Sequence, residues 1–304
     1  MRTVLFGASK AGEYFIEQNP CVDIVAVADN DTGRHGTYLL DIPVIAPARL
    51  QALKFDTLII TSQWVDAISR QLTEELKIDP ARIQIPPKQQ LKAAKPFEHP
   101  ATLKLAHALM HQLHSFLDTH HIAACLDSGT LLGAVREQRL IPWDDDIDFA
   151  LDPPNFTRLL ERAEMLYHFL PQQPGVQWQV IQIKVDGRPA CINIEFTCED
   201  ASQWVPFDLS LQLRETTNGY SELVSSAGLF FAPAEHFDHF GQIEFLGKTF
   251  GAPTNAEDFL EFMYGNWQTP QQSFRITEYQ SRRANLPLHT ARPVIAKQEI
   301  KRPC

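Results

Sequence analysis

Cysteine is scarce in this 304-residue chain, and none of it is arranged for metal or disulfide work. Cys21, Cys125, Cys191, Cys198 and Cys304 are odd in number, and no spacing among them is that of a zinc site or a disulfide framework. A reducing, cytoplasmic setting is expected. Long hydrophobic runs are also missing: no stretch approaches the roughly 18 to 20 apolar residues of a membrane span. The opening MRTVLFGASKAG enters a strand at once and lacks the apolar region of a signal peptide. Positive charge is short, with 27 Lys and Arg against 37 Asp and Glu and a net charge of -10. That argues against general nucleic-acid binding, whose affinity comes from cations on phosphates, while leaving room for a local basic pocket. What remains is ordinary globular composition, 44% hydrophobic and 21% charged, in a chain long enough for two domains.

The first 90 residues alternate strand and helix. Thr3 to Phe6 is a short apolar strand, followed by the small-residue turn from Gly7 to Gly12 and a helical pattern through Tyr14, Phe15 and Ile16. Further strands are expected at Ile24 to Ala28, Thr57 to Thr61 and Ile83 to Ile85, with a helix from Trp64 to Leu76, which together predict a small parallel sheet. A strand, a glycine turn and a helix start can hold an anion on backbone N–H groups. Gly7, Ser9 and Gly12 are therefore candidate cofactor-binding positions, and Asp29, at the end of the second strand, is a candidate for a ribose hydroxyl. The turn lacks the middle glycine of G-x-G-x-x-G, and glycines also serve plain strand-to-helix packing. Two readings stay open: a nucleotide or sugar-nucleotide pocket, or a structural or oligomerising module. In outline this half resembles the small Rossmann-like domains placed ahead of bacterial sugar-modifying enzymes.

Ile85 to Pro100 is rich in proline and polar residues and reads as a linker, with a second domain over 98–304. A helix over Ala101 to Thr119 should bury Leu105, Leu109, Leu113 and Phe116. His107, His111 and His114 recur on it at helical spacing. With no local carboxylate or cysteine to join them, they read as a partly buried face rather than a metal site. Ile122 to Leu126 is expected to be a strand leading into Ser128-Gly129-Thr130.

From there to Asp152 runs the densest chemistry. A turn of Ser128, Gly129 and Thr130 before a helix can bind phosphate at the helix start, Gly129 removing a side chain that would block close approach. Arg136 follows, close enough to offer its planar fork to the same phosphates. Asp144, Asp145, Asp146 and Asp148 come next, among apolar residues in a strand pattern. Alternation puts Asp144, Asp146 and Asp148 on one face and Ile147 and Phe149 on the other. Carboxylates gathered on one face repel unless a cation joins them, and hard divalent cations such as magnesium take oxygen ligands shared with phosphates.

The stretch SGTLLGAVREQRLIPWDDDIDFAL resembles the signature of the LicD family of phosphotransferases, which includes the fukutin-related proteins; Arg139 departs from it, where small residues are usual. The segment from Phe231 to Pro270, with its Tyr-Gly-x-Trp end, is similar to that family's closing segment. The resemblance covers about residues 100 to 275 and implies a nucleotidyltransferase-like mixed sheet, α+β, after the α/β first domain. It further implies that Gly129 and Thr130 hold phosphate, that Asp146 and Asp148 bind magnesium, or manganese in its place, and that a later strand supplies a third carboxylate. Asp208 is favoured there, by its spacing before Pro233 to Phe237, although Pro-Phe-Asp-Leu-Ser departs from the family pattern; Glu195 is the alternative.

The activity implied is transfer of a phospho-alcohol from a CDP-linked donor to a glycan or glycolipid precursor, with Asp208 as general base. A nucleotidyltransferase moving the NMP portion and a non-catalytic sugar-nucleotide-binding module are the rival readings. Tyr264 reads as packing, Trp267 and Phe274 as packing or as lining of an acceptor cleft, and Arg282 to Cys304 as a surface-hugging or partly disordered tail.

Overall fold

The computed structural model of the chain describes residues 1–91, 95–200, 202–272, 275–283 and 293–303. Phe274 and Cys304 lie outside the described residues. The chain divides into two compact units, Met1–Ala93 with Gln271–Tyr279, and Ala94–Pro270 with Gln280–Cys304.

In the first unit, β1 (Arg2–Phe6), α1 (Lys10–Gln18), β2 (Asp23–Ala28), β3 (Tyr38–Leu39), β4 (Ile42–Ile45), β5 (Thr57–Ile60), α2 (Val65–Arg70) and β6 (Ile83–Gln84) build a six-stranded sheet in the order β3-β4-β2-β1-β5-β6. All pairings are parallel except the β3–β4 hairpin. The order reverses between β1 and β5, the signature of a Rossmann-like doubly wound sheet. Val4, Leu5, Phe6, Leu58 and Ile60 are buried, as strands covered on both faces must be. The hairpin β3–β4 goes beyond the sequence expectation, because two-residue and four-residue strands are too short to show a period. The helix expected to Leu76 is α-helical only to Arg70 and continues as a wider π turn over Gln71–Glu75.

The second unit opens with α3 (Pro100–Thr119), whose N-cap is His99 accepting from the Thr102 N–H. Then come β7 (Cys125–Leu126), α4 (Ser128–Arg136), β8 (Asp146–Leu151), α5 (Pro153–Arg162), β9 (Val176–Val185), β10 (Arg188–Cys198), β11 (Asp208–Thr217), β12 (Tyr220–Leu223), β13 (Phe231–Pro233), β14 (Phe240–Phe245), β15 (Lys248–Pro253), α6 (Ala256–Tyr264) and β16 (Ile295–Glu299). The sheet runs β14-β15-β7-β8-β11-β10-β9-β16, with β12 added to β11 and β13 to β12. It is mixed: β15–β7 and β8–β11 are parallel, the rest antiparallel. Leu105, Leu109, Leu113 and Phe116 of α3 are buried in the same core as Ile147, Phe149, Leu209, Leu211, Ile192 and Ile194. Each such side chain contributes on the order of 1.5 to 3 kcal/mol by leaving water, enough to fix which face of β8 and β11 turns inward.

The histidine face of α3 is structural, as expected. His111 Nε2 donates to the Leu246 carbonyl at 2.8 Å and His114 Nε2 to the Thr249 carbonyl at 3.1 Å, tying α3 to the β14–β15 hairpin. Burial, aided by His111, lowers the pKa of His107. The C-terminal tail lies along the surface where it is described, Ile295–Glu299 pairing antiparallel with β9 as an exposed edge strand, and residues 284–292 of it lie outside the described residues. The Tyr167 hydroxyl donates to the Ile300 carbonyl and accepts from the Val180 N–H, both at 3.0 Å, so backbone pairing rather than apolar burial holds an otherwise exposed strand. Phe97, within the expected linker, is buried in the second core.

Candidate active site

The sheet of the second unit presents one apolar and one polar face, and the polar face carries the site. Along β11 the sequence DLSLQLR alternates strictly. Leu209, Leu211 and Leu213 enter the core, and Asp208, Ser210, Gln212 and Arg214 share the opposite face. β8 does the same, with Ile147 and Phe149 fully buried and Asp146 and Asp148 half-buried on the other side. The parallel register sets Asp208 opposite Asp146 and Ser210 opposite Asp148.

The Asp148 carboxylate is held from its neighbour strand: its Oδ1 accepts from Ser210 Oγ at 2.6 Å and from Gln212 Nε2 at 2.9 Å. Gln212 is itself oriented by Ser225 Oγ, which donates to its Oε1 at 2.6 Å. Burial, reinforced by Asp148 and Asp208, pushes the Cys191 thiol up, so this cysteine under the face stays protonated and is no nucleophile.

Asp144 departs from the expected alternation. β8 begins only at Asp146, and Asp144 lies before it in a turn whose Asp144 N–H donates to the Ile141 carbonyl at 3.0 Å. That turn folds the Asp144 carboxylate against Gly129, where it occupies the space a Cβ would need. Among the described residues, the group of three carboxylates with oxygens within 4.8 Å of one another is Asp144, Asp145 and Asp146. Asp148 and Asp208 are outside that group, joined to it by the β8–β11 register. Two carboxylates at that separation repel by about 3.5 kcal/mol at an effective dielectric of 20. The donor set is all hard oxygen, and it fits a magnesium or calcium-like cation rather than a soft metal.

The turn is built by Asp127. Its carbonyl accepts from the Leu131 N–H at 3.0 Å, its N–H donates to the Asp148 carbonyl at 3.0 Å, and its Oδ1 accepts from the Ser128 N–H at 2.7 Å. Ser128 takes a left-handed φ of 49°. Thr130 has a different place from the one expected. It is 2% exposed, and its Oγ1 accepts from the Asp148 N–H at 2.9 Å, bracing α4 on β8. Ser128 and Gly129 are the half-buried part of the turn.

Arg136 is likewise corrected. Its guanidinium donates to Glu137 Oε1 from Nε at 2.9 Å and from Nη2 at 2.5 Å, and to the Trp267 carbonyl at 3.2 Å. An adjacent carboxylate with 12% exposure and a carbonyl from the segment after α6 satisfy the fork, which makes it a brace for that segment. Burial alone would raise the Glu137 carboxyl, but hydrogen bonds from Arg139 and Arg136 hold it below the usual carboxylate range. Trp267 is buried and Tyr264 packs against the same core. Glu195, the alternative third carboxylate, sits on β10, accepts from Asn193 Nδ2 at 2.9 Å and pairs with Lys297 of β16 at 3.5 Å.

In the first unit the glycine turn is filled by the protein itself. Gly7 has φ +124° and lies so close to the Thr61 carbonyl that a Cβ would sit 2.7 Å from its oxygen; at Gly12 a Cβ would come within 2.6 Å of the Gly7 carbonyl oxygen. Asp29 accepts from the Ala8 N–H at 2.6 Å and from the Asp31 N–H at 2.8 Å, and Arg34 donates to the Ala8 carbonyl. Ser9 Oγ donates to the Thr61 carbonyl at 3.3 Å. All four candidate positions therefore have packing or turn-closing roles.

Sequence reasoning passed over Asp127, Ser210, Gln212 and Arg214. The period-2 alternation of polar residues in DLSLQLR was the available signal for the last three; for Asp127 it was an aspartate directly before a helix start, a preferred N-cap.

Residues 121–255 match the family described as LicD/FKTN/FKRP, nucleotidyltransferase domain, and residues 1–84 match that described as C2185-like, N-terminal. The match to the LicD/FKTN/FKRP family falls within the second unit and includes the stretch whose residues resemble that family's signature. The lipopolysaccharide cholinephosphotransferase LicD of Haemophilus influenzae is 34% identical over 53 residues, 17% of this chain and 20% of that protein. An uncharacterized protein of Rickettsia typhi is 41% identical over 61 residues, 19% of this chain and 20% of its own. The chain spans about a fifth of the length of these curated relatives. Among solved structures, UDP-D-quinovosamine 4-dehydrogenase from Vibrio fischeri is 19% identical, over 28% of this chain and 74% of that chain, with a TM-score of 0.23. Biliverdin reductase from Synechocystis is 11% identical over 88% and 92%, also with a TM-score of 0.23. Likenesses of that size carry no argument. Among the described residues no helix is long and apolar enough to cross a membrane.

Proposed function

We propose that the second unit transfers a phospho-alcohol, such as phosphocholine or ribitol phosphate, from a CDP-linked donor to a hydroxyl of a glycan or glycolipid precursor. The observation that carries this reading is the β8–β11 register, which sets Asp208 opposite Asp146 on the face where the Asp144 carboxylate meets Gly129. The LicD domain and the identity with a cholinephosphotransferase support a transferase.

Asp146, with Asp148 on β8 and Asp208 on the paired β11, would hold magnesium or manganese, and Asp144 and Asp145 of the preceding turn bring their carboxylates close to that of Asp146. When bound, the cation neutralises diphosphate oxygens and makes the phosphorus a better electrophile. The Gly129 end of the turn at the start of α4 would hold a phosphate, the Ser128 N–H being taken by the Asp127 carboxylate. Asp208 takes the proton of the acceptor hydroxyl; the hydroxyl oxygen bonds to the distal phosphorus in line as the phosphorus–oxygen bond to CMP breaks. Ser210 and Gln212 keep Asp148 in one orientation, and positioning with electrostatics supplies most of the acceleration. For the first unit we favour the structural module over the nucleotide pocket, because packing alone calls for Gly7 and Gly12.

The test is incubation with CDP-choline, CDP-ribitol and CDP-glycerol, with and without magnesium, and product analysis by mass spectrometry. CMP release is expected; release of the free phospho-alcohol with CMP carried onto the acceptor would replace this reading by nucleotidyl transfer. Asp146→Asn and Asp148→Asn should each lower turnover by about a hundredfold or more while the thermal midpoint moves little. Full activity in either variant would sink the metal-site assignment.

A further inference from the structure

Beneath the Ser128–Gly129 turn lies an ion pair that the mechanism above does not use. The side chains of Asp127 and Arg214 are 1% and 5% exposed. Arg214 Nε and Nη2 are both 2.8 Å from Asp127 Oδ2. The guanidinium lies 4.2 Å from the centre of the Phe237 ring, and Nη1 donates to the Ser221 carbonyl at 3.4 Å. Asp127 is the N-cap of α4, and Arg214 stands on β11, three alternate positions beyond Asp208 on the same face. One side-chain contact therefore joins the turn to the strand of the third carboxylate.

Stability alone does not call for such a pair, since apolar residues of similar volume commonly replace buried ion pairs at little or no cost. Charge gives it a purpose. The start of a helix carries about half a positive charge, which a full, buried negative charge on Asp127 would overwhelm one residue from Ser128. An anionic ligand would then be repelled at the turn meant to hold it.

We propose that Arg214 is a positioning residue of this site: it neutralises Asp127, so that the start of α4 stays positive toward a diphosphate, and it pins the turn to β11. The inference rests on the reading of the turn as a phosphate site given above.

The experiment uses the full chain as wild type, Arg214→Met, Arg214→Lys, Asp127→Asn and the double variant Asp127→Asn/Arg214→Met. Each is measured by calorimetric titration with inorganic pyrophosphate in magnesium, and by thermal unfolding. Both single neutral variants should lose thermal stability, because each strands a buried charge. Pyrophosphate binding should instead split by sign: about tenfold weaker in Arg214→Met and tighter in Asp127→Asn, with the double variant within about threefold of wild type. Arg214→Lys, which keeps the charge and serves if Arg214→Met fails to fold, should lose stability with the fork and the Phe237 stacking but stay within about threefold in pyrophosphate binding, which reads charge. Binding that weakens in both single variants in step with stability, or about tenfold loss in Arg214→Lys, overturns the inference while leaving the donor reading intact. Wild-type protein that binds no pyrophosphate overturns the phosphate-turn reading and this inference together.

Discussion

Two glycines one helical turn apart on α4 face different neighbours, and substitution should separate their roles. At Gly129 a Cβ would collide with the Asp144 carboxylate, the far end of a flexible side chain. Gly129→Ala should therefore cost less than about 1 kcal/mol of stability but displace Asp144 and lower transfer activity and magnesium affinity. At Gly133 the Cβ would meet the Arg139 carbonyl, with Ile141 beside it. Backbone cannot step aside so readily, so Gly133→Ala should lose about 1 to 3 kcal/mol. Chemical denaturation beside a turnover assay checks both; a larger stability loss at Gly129 than at Gly133 would contradict the packing described.

At the scale of elements, the loop from α4 to β8 is held by a carboxylate between two arginines. Glu137 accepts from Arg136 on one oxygen and from Arg139 on the other, and the Arg136 fork continues to the Trp267 carbonyl beyond α6. Because these bonds hold its carboxyl below the usual range, the folded state binds its proton less readily than the unfolded state does. The stabilisation is therefore present above the ordinary carboxylate pKa and is lost as pH falls through the depressed one. Glu137→Gln should be less stable than wild type at neutral pH by about 1 kcal/mol or more, and the gap should close in acid. Unfolding midpoints measured from pH 7 down to about pH 3 test this; a gap that widens in acid would reverse the sign argued here.

For the whole molecule, the division into two units makes Ile276 the informative position. It lies far along the sequence, yet it packs against the first unit's core, partly buried beside the cluster of Val4, Phe6, Leu58 and Ile60. Ile276→Ala should lower the calorimetric transition of the first unit by a few degrees, for about 1 kcal/mol lost, and leave the transition of the second in place. A shift in the second transition alone would assign the segment Gln271–Tyr279 to the wrong unit.

Much of this was present in local order along the chain. Alternation of Asp146, Ile147, Asp148 and Phe149 determined a strand and its two faces, because burying Ile147 and Phe149 leaves the carboxylates only the other side. The glycine turn, the aspartates and their apolar neighbours carried the family, since those residue types sit within one continuous stretch. The partners were another matter. That Asp208 faces Asp146, that Arg214 reaches back 87 residues to Asp127, and that Arg136 is spent on a carbonyl 131 residues away are facts of pairing and register. Periodicity reports which face a side chain takes, not which distant strand lies beside it. Only closure of the sheet, where packing gain offsets the entropy of closing long loops, decided that the Ser128–Gly129 turn, the acidic strand and a buried arginine lie together.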